Sequence, residues 1–262
     1  MAYITRQGVR IHYQLTGRGE PLILQHGFSM SLEDWREYGY VDSLKKHFRL
    51  ILLDARGHGA SDKPHDSAAY TLETMVGDFV ALLDELKIER AHYWGYSMGG
   101  GLGFGFARYH PERIRKLIIA SSGAVRQQPK GVPRVPPSEG QPEDWMTHIL
   151  NQGPEGLVNM WHDSLYISPD HKQRLLENDV EALAAYWRTP WPSLSDLPPK
   201  LTMPCLFYAG DSDVERQEVL QEAAAAAPAA GFISLPGLDH FTTWARSDMI
   251  LPSAIDFLRA PA

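Results

Sequence analysis

Residues 93–106 read YWGYSMGGGLGFGF. Ser97 lies between Gly95 and Gly99, and Gly100, Gly101, Gly103 and Gly105 follow in what otherwise resembles the start of a helix. Each glycine costs a helix interior about 1 kcal/mol relative to alanine, so helix stability is not what places them there. An apolar run, AHYWG at 91–95, precedes the serine, and a helical pattern runs from it to about Tyr109. A sharp strand-to-helix turn drives its apex residue to positive φ. Glycines two residues before and two after remove Cβ atoms that would collide across such a turn. Gly95-Tyr96-Ser97-Met98-Gly99 therefore fits a nucleophile elbow, which exposes the serine Oγ above the edge of a sheet. The plain alternative is a helix start packed closely on a sheet.

Working outward, short apolar runs alternate with longer helical patterns. The runs are LILQ (22–25), FRLILLD (48–54), AHYWG (91–95), KLIIASS (116–122), CLFYAG (205–210) and GFISLP (231–236). Ahead of them, AYITRQGVRIHYQLTG alternates apolar and polar residues around Gln7-Gly8, which predicts an antiparallel hairpin. The stretch 71–86 has apolar residues at helical spacing, with Thr71 as N-cap and Glu73 in the first turn. This order predicts a mostly parallel sheet covered on both faces. It breaks between about Ala124 and Lys200, where a proline-rich loop (129–142) precedes two helical stretches, 143–166 and 168–189. We therefore expect a core of residues 1–123 and 201–262 interrupted by a helical insertion, 124–200. Trp145, Trp161, Trp187 and Trp191, four of the seven tryptophans, fall in that insertion and imply an apolar face. EAAAAAPAA (222–230) reads as a surface helix stopped by Pro228.

The chain has 262 residues, 44% hydrophobic and 22% charged, with a net charge of −7. An acidic chain is a poor match for a nucleic-acid surface. Cys205 is the one cysteine, which precludes an internal disulfide and fits a reducing compartment. MAYITRQGVRIHYQ has no basic region followed by an apolar run, and no stretch reaches the roughly 18 apolar residues of a membrane span. The expectation is a cytoplasmic protein without a membrane or nucleic-acid partner.

Serine needs a base to take its proton, and that base needs a third group to orient it. Downstream of Ser97, CLFYAG ends in DSD, and PGLDHF follows the next strand, so Asp213 and His240 come in the required order at the ends of strands. Asp213 lies further out in its loop than Asp211 and is the better placed to reach His240; Asp211 is expected to cap the turn or the helix that follows. Asp239, beside His240, is a minor candidate. His26 is expected to hold its loop by a hydrogen bond, and His58 to sit in a turn. His148, His162 and His171, in the insertion, are expected to face solvent, with contact to substrate as the alternative. No histidine spacing suggests a metal site. The oxyanion formed on attack needs fixed donors. The amide of Met98, at a helix N-terminus, and that of Phe28, in QHGFS, are the candidates.

With LQHGFS, DARGHGASDKP, GYSMGG, GDSD and DHF in this order, the chain resembles the α/β-hydrolase superfamily, and most of all bacterial serine esterases with a helical cap. The resemblance implies an α/β-hydrolase fold, a Ser97–His240–Asp213 triad, oxyanion amides at Phe28 and Met98, and Asp54 and Arg56 as scaffold. It implies hydrolysis of a small-molecule ester with no metal or organic cofactor. Ser97 argues against the epoxide hydrolases and haloalkane dehalogenases of this superfamily, which use an aspartate. HGFSMS and Phe241 depart from the glycine-rich loop and post-histidine tryptophan usual in carbon–carbon hydrolases. Lactonases, thioesterases, carbon–carbon hydrolases, perhydrolases and lyases share the triad and stay open, as does a non-catalytic binding protein on the same fold. Trp145, Met160, Trp161, Tyr166, Trp187 and Phe241 are candidate pocket walls; for each insertion residue, service as the insertion's own core is the rival reading.

Overall fold

A computed structural model describes residues 1–124, 145–162 and 167–261, with only the backbone described at Trp145, His148 and His162. Strands β1 (Ala2–Arg6) and β2 (Val9–Gly17) form the expected hairpin. Its two turn residues, Gln7 and Gly8, have φ of 51° and 77°, the twist that a two-residue hairpin loop requires. Then come β3 (Glu20–Gln25), β4 (Phe48–Leu53), β5 (Ala91–Tyr96), β6 (Ile114–Ala120), β7 (Cys205–Gly210) and β8 (Ala230–Leu235). They form one eight-stranded sheet in the order β1-β2-β4-β3-β5-β6-β7-β8. The pairings of β2 are antiparallel, and all the others are parallel. Successive side chains of the central strands supply opposite cores. Ile23, Ile51 and Ile119 pack on one face with Phe79 and Phe104, while Leu24, Leu50 and Ile118 pack on the other with Trp35, Tyr40 and Trp244. That double burial is why these strands read as apolar runs rather than alternating ones.

Two short helices, α1 (Asp34–Glu37) and α2 (Tyr40–Leu44), follow β3, and α3 (Leu72–Glu85) follows β4. Thr71 caps α3 as expected, its Oγ1 accepting from Thr74 N at 3.2 Å. Helix α4 (Met98–Tyr109) follows β5 directly. Between β6 and β7 lie α5 (Trp145–Gln152), α6 (Pro154–His162), α7 (Pro169–Leu176) and α8 (Val180–Arg188). The two helical stretches expected there are thus each divided. Gly153, at φ 67°, and Pro154 at the next N-terminus separate the first pair. Asp179, whose side chain caps Ala182 N, restarts the second. The chain closes with α9 (Val214–Ala226), α10 (His240–Ala245) and α11 (Ser247–Arg259). Helix α9 ends just before Pro228, as expected.

The residues assigned to scaffold are buried and fully engaged. Asp54 accepts from His12 Nδ1, Leu32 N and Ala60 N at 2.8–2.9 Å. Arg56, 1% exposed, makes a two-pronged pair with Asp78 at 2.7 and 2.8 Å. Both tie the loop after β4 to its neighbours.

Candidate active site

Ser97 sits between β5 and α4 with φ 52° and ψ −110°, a left-handed conformation that a side chain rarely adopts. The turn is tight because α4 begins against the ends of β3 and β5. A Cβ on Gly99 would lie 2.8 Å from His26 O and closer still to Gln25 O. One on Gly95 would overlap Gly99 O. Further along α4, a Cβ on Gly103 would meet Ile119 and Tyr93, so the glycines let this helix lie close on the sheet. That answers the helix-stability cost visible in the sequence.

Ser97 Oγ lies 3.0 Å from His240 Nε2, and His240 Nδ1 lies 2.9 Å from Asp213 Oδ2. Because Asp213 is an ionised acceptor, Nδ1 carries the ring proton and Nε2 is left to accept from the serine. His240 is not in an irregular loop but is the first residue of α10. Asp239 builds that helix start, accepting from Phe241 N and Thr242 N at 3.0 and 2.8 Å. It is thereby engaged away from the His240 ring. Tyr96 OH donates to His240 O, bracing the same turn from below. Asp211 accepts from Gly237 N at 2.8 Å and so braces the turn before α10 rather than its own helix. Of the two carboxylates, Asp213 is the one that meets His240.

Asp213 is 7% exposed, and its other oxygen, Oδ1, accepts from Arg216 Nη1 at 2.9 Å. Burial alone would raise its pKa, but the His240 hydrogen bond and the Arg216 charge outweigh that and hold it below the usual carboxylate range. Burial, and then the charge of Arg216, lower the pKa of His240 below its ordinary value, against the upward pull of Asp213 and Asp239. The pull of the neighbouring Asp239 is therefore outweighed. His240 is neutral at pH 7.

The loop after β3 passes beside the serine: a Cβ on Gly27 would lie 3.5 Å from Ser97 Cβ. His26 holds this loop. Its Nε2 accepts from Ala55 N at 3.1 Å, so Nδ1 donates to Gly27 O at 2.7 Å. Phe28 and Met98 both line the space over Ser97. Met98 is the first residue of α4, where an amide has no intrahelical acceptor. His58, fully buried, packs on Phe28 at 5.9 Å, with its pKa pushed down to about 3 by burial and by His26.

Two cavities meet at Ser97. One, of about 280 Å³, is lined by Met30, Met160, Trp161, Trp187, Phe241 and His240. The other, of about 100 Å³, is lined by Met98, Ser122, Tyr186, Trp187, Trp191 and Leu194. Phe28, Trp187 and Arg216 line both. Of the expected pocket residues, Met160, Trp161, Trp187 and Phe241 thus line the larger cavity at the serine. The Trp145 side chain and Tyr166 lie outside the described residues. His171 is fully buried rather than facing solvent, 4.7 Å from the Trp161 ring; the side chains of His148 and His162 lie outside the described residues. Among the described residues, Asp34, Glu37 and His171 are grouped closely enough to hold a metal ion. Arg174 already bonds Asp34 at 2.8 Å and reaches Glu37, so a side chain already offsets part of that group's charge and occupies its carboxylates.

Sequence reasoning passed over Tyr96, Tyr186 and above all Arg216. A signal for Arg216 was present: a cation in the first turn of a helix opposes the helix dipole, so a partner was to be sought, and Asp213 lies three residues before it.

A family model described as alpha/beta hydrolase fold matches residues 20–194. The solved structure of the enol-lactonase from Burkholderia xenovorans LB400 superposes with a TM-score of 0.83 at 25% identity, covering 99% of this chain and 100% of that one. A putative 2-succinyl-6-hydroxy-2,4-cyclohexadiene-1-carboxylate synthase of Bacillus subtilis is 26% identical over 239 residues, 84% of each chain. A cis-3-alkyl-4-alkyloxetan-2-one decarboxylase of Shewanella oneidensis is 38% identical over 130 residues, 47% of this chain and 38% of that protein. The chain therefore matches well under half the length of this last relative.

Proposed function

The chain belongs to the alpha/beta hydrolase fold family, and on that premise we propose that it is a serine hydrolase cleaving carboxylic esters through an acyl-enzyme. The observation that carries this reading is the hydrogen-bonded line from Ser97 Oγ through His240 to Asp213. Ser97 attacks the carbonyl while neutral His240 takes its proton. Asp213 holds the ring in the productive tautomer and stabilises the imidazolium that forms. The oxyanion is met by the amides of Phe28 and Met98, the second reinforced by the dipole of α4. His240 then returns the proton to the departing alcohol, and in the second half-reaction it activates the water that releases the acid.

Residues 1–123 and 201–262 supply this chemistry and part of the cavity walls, and the insertion, 124–200, adds the walls at Met160, Trp161, Tyr186, Trp187 and Trp191 that on this reading choose the substrate. Met160, Trp161 and Trp187 give the larger cavity an apolar lining suited to an aliphatic or aromatic group, each buried CH₂ contributing about 0.8 kcal/mol. We place the protein in the cytoplasm; no helix among the described residues is long and apolar enough to cross a membrane.

A lactone is the second reading, favoured by the likeness to the enol-lactonase over nearly the whole of both chains. The test is a panel of linear esters, lactones and thioesters, with a β-lactone included as a probe of decarboxylation. Saturable hydrolysis of linear esters supports the first reading. Turnover of lactones alone, or carbon dioxide release from the β-lactone without ester hydrolysis, overturns it.

A further inference from the structure

We propose that Arg216 is an anion-binding residue of this site and that the ester turned over here carries a carboxylate. This rests on the ester-hydrolase reading and narrows its substrate class. Arg216 lines both cavities that meet at Ser97. Among the described residues, no other lysine, arginine, aspartate or glutamate lines either one. Among the described residues, only one of its five guanidinium N–H groups finds a partner, in the bond from Nη1 to Asp213 Oδ1. The side chain is 28% exposed, so its remaining donors are neither buried nor fully in bulk water. A guanidinium presents those donors in a fork that matches a carboxylate.

The position is otherwise unfavourable for a cation. Arg216 lies in the first turn of α9, against the helix dipole. Its charge also lowers the basicity of His240, which works against proton removal from Ser97. A neutral donor would satisfy Asp213 Oδ1 without that cost. An anionic substrate removes the conflict: bound at Arg216, its carboxylate screens the guanidinium from His240 and restores the base in the complex. A local cation is also what an anionic ester needs to enter a protein whose net charge is −7.

The groups facing His240 are Asp213 and Arg216 from the β7–α9 side, Asp239 and Phe241 beside it, and Tyr96 and Ser97 beneath. Of these, substrate binding would alter the surroundings of Arg216 alone among the charged groups. The acid limb of kcat, which reports the complex, should then lie at higher pH than that of kcat/KM, which reports the free enzyme. This separation should appear with an anionic ester and vanish with a neutral one.

The experiment compares two matched pairs. The mono-4-nitrophenyl ester of adipic acid is set against 4-nitrophenyl hexanoate, and 3-carboxyphenyl hexanoate against phenyl hexanoate. Arg216→Gln removes the charge yet keeps a donor for Asp213; Arg216→Lys keeps the charge. The expected result, in one pair or both, is that Arg216→Gln lowers the anionic-to-neutral ratio of kcat/KM by about 10- to 100-fold, the loss of a charged hydrogen bond. Arg216→Lys should retain more of that ratio. If Arg216→Gln leaves the ratio unchanged in both pairs, Arg216 only positions Asp213 and the proposal is wrong, while ester hydrolysis stands. If the wild-type protein hydrolyses none of the four esters, the ester reading itself fails, and this one with it.

Discussion

Replacing Gly99 by alanine tests the close approach on which the whole site depends. The new Cβ would sit 2.8 Å from His26 O and nearer still to Gln25 O. Both are backbone atoms, so no side-chain rotation relieves the contact. Restoring ordinary separation requires α4 and the end of β3 to part by roughly 1 Å. Overpacking of this kind costs about 1–3 kcal/mol, and in a chain near this size 1 kcal/mol moves Tm by about 2–4 °C. The expected loss is therefore roughly 2–12 °C. Activity should fall further than stability suggests, because the end of β3 leads into the loop carrying Phe28, and a misplacement of about 1 Å can cost on the order of 10²-fold in rate. Gly231→Ala is the control: its Cβ would touch only Leu206 Cδ1 at 3.9 Å, so Tm should move by no more than about 2 °C. Thermal unfolding by circular dichroism and kcat/KM for 4-nitrophenyl butyrate give both readings. If Gly99→Ala matches Gly231→Ala in Tm and in rate, close packing is not what requires glycine at the elbow.

Asp213→Asn should lower kcat by about 10⁴-fold by leaving His240 in the wrong tautomer, whereas Asp211→Asn should lose only the brace to Gly237 N and stay within a few-fold of wild type; steady-state kinetics of both variants would show a wrong assignment as a reversed order. Trp161→Ala and Trp187→Ala should reorder a series of 4-nitrophenyl esters by acyl chain length, since both rings line the larger cavity; an unchanged order with lowered Tm would make them core residues of the insertion. Because burial and Arg216 hold His240 below its ordinary pKa, the acid limb of kcat/KM for a neutral ester should have its midpoint below that of an ordinary histidine, about pH 6.5. Removing the cation in Arg216→Gln should move that limb to higher pH. A limb that stays put or moves lower would contradict the electrostatic account.

The strands were legible because β3 to β7 are buried on both faces and so appear as unbroken apolar runs. The positions of Ser97, Asp213 and His240 could be read because each lies at or shortly after the C-terminal end of a parallel strand, a place that strand boundaries alone locate. What hid from the sequence was contact across the molecule. The burial of His171 depends on Trp161 of the preceding helix and on Asp34, which comes from a distant segment. Arg216 enters both cavities because α9 starts directly behind Asp213, and composition gives no hint of that. The division of the insertion into shorter helices was visible in Gly153-Pro154 and in Asn178-Asp179, but apolar spacing spans such breaks and conceals them.

The central claim is that Ser97 is the nucleophile. It is tested most directly by treating the protein with a fluorophosphonate, followed by intact-mass measurement and peptide mapping. We predict a single adduct, on Ser97, formed in step with loss of esterase activity and absent from a folded Ser97→Ala protein. An adduct on another serine, or ester turnover that persists in purified Ser97→Ala, would contradict it.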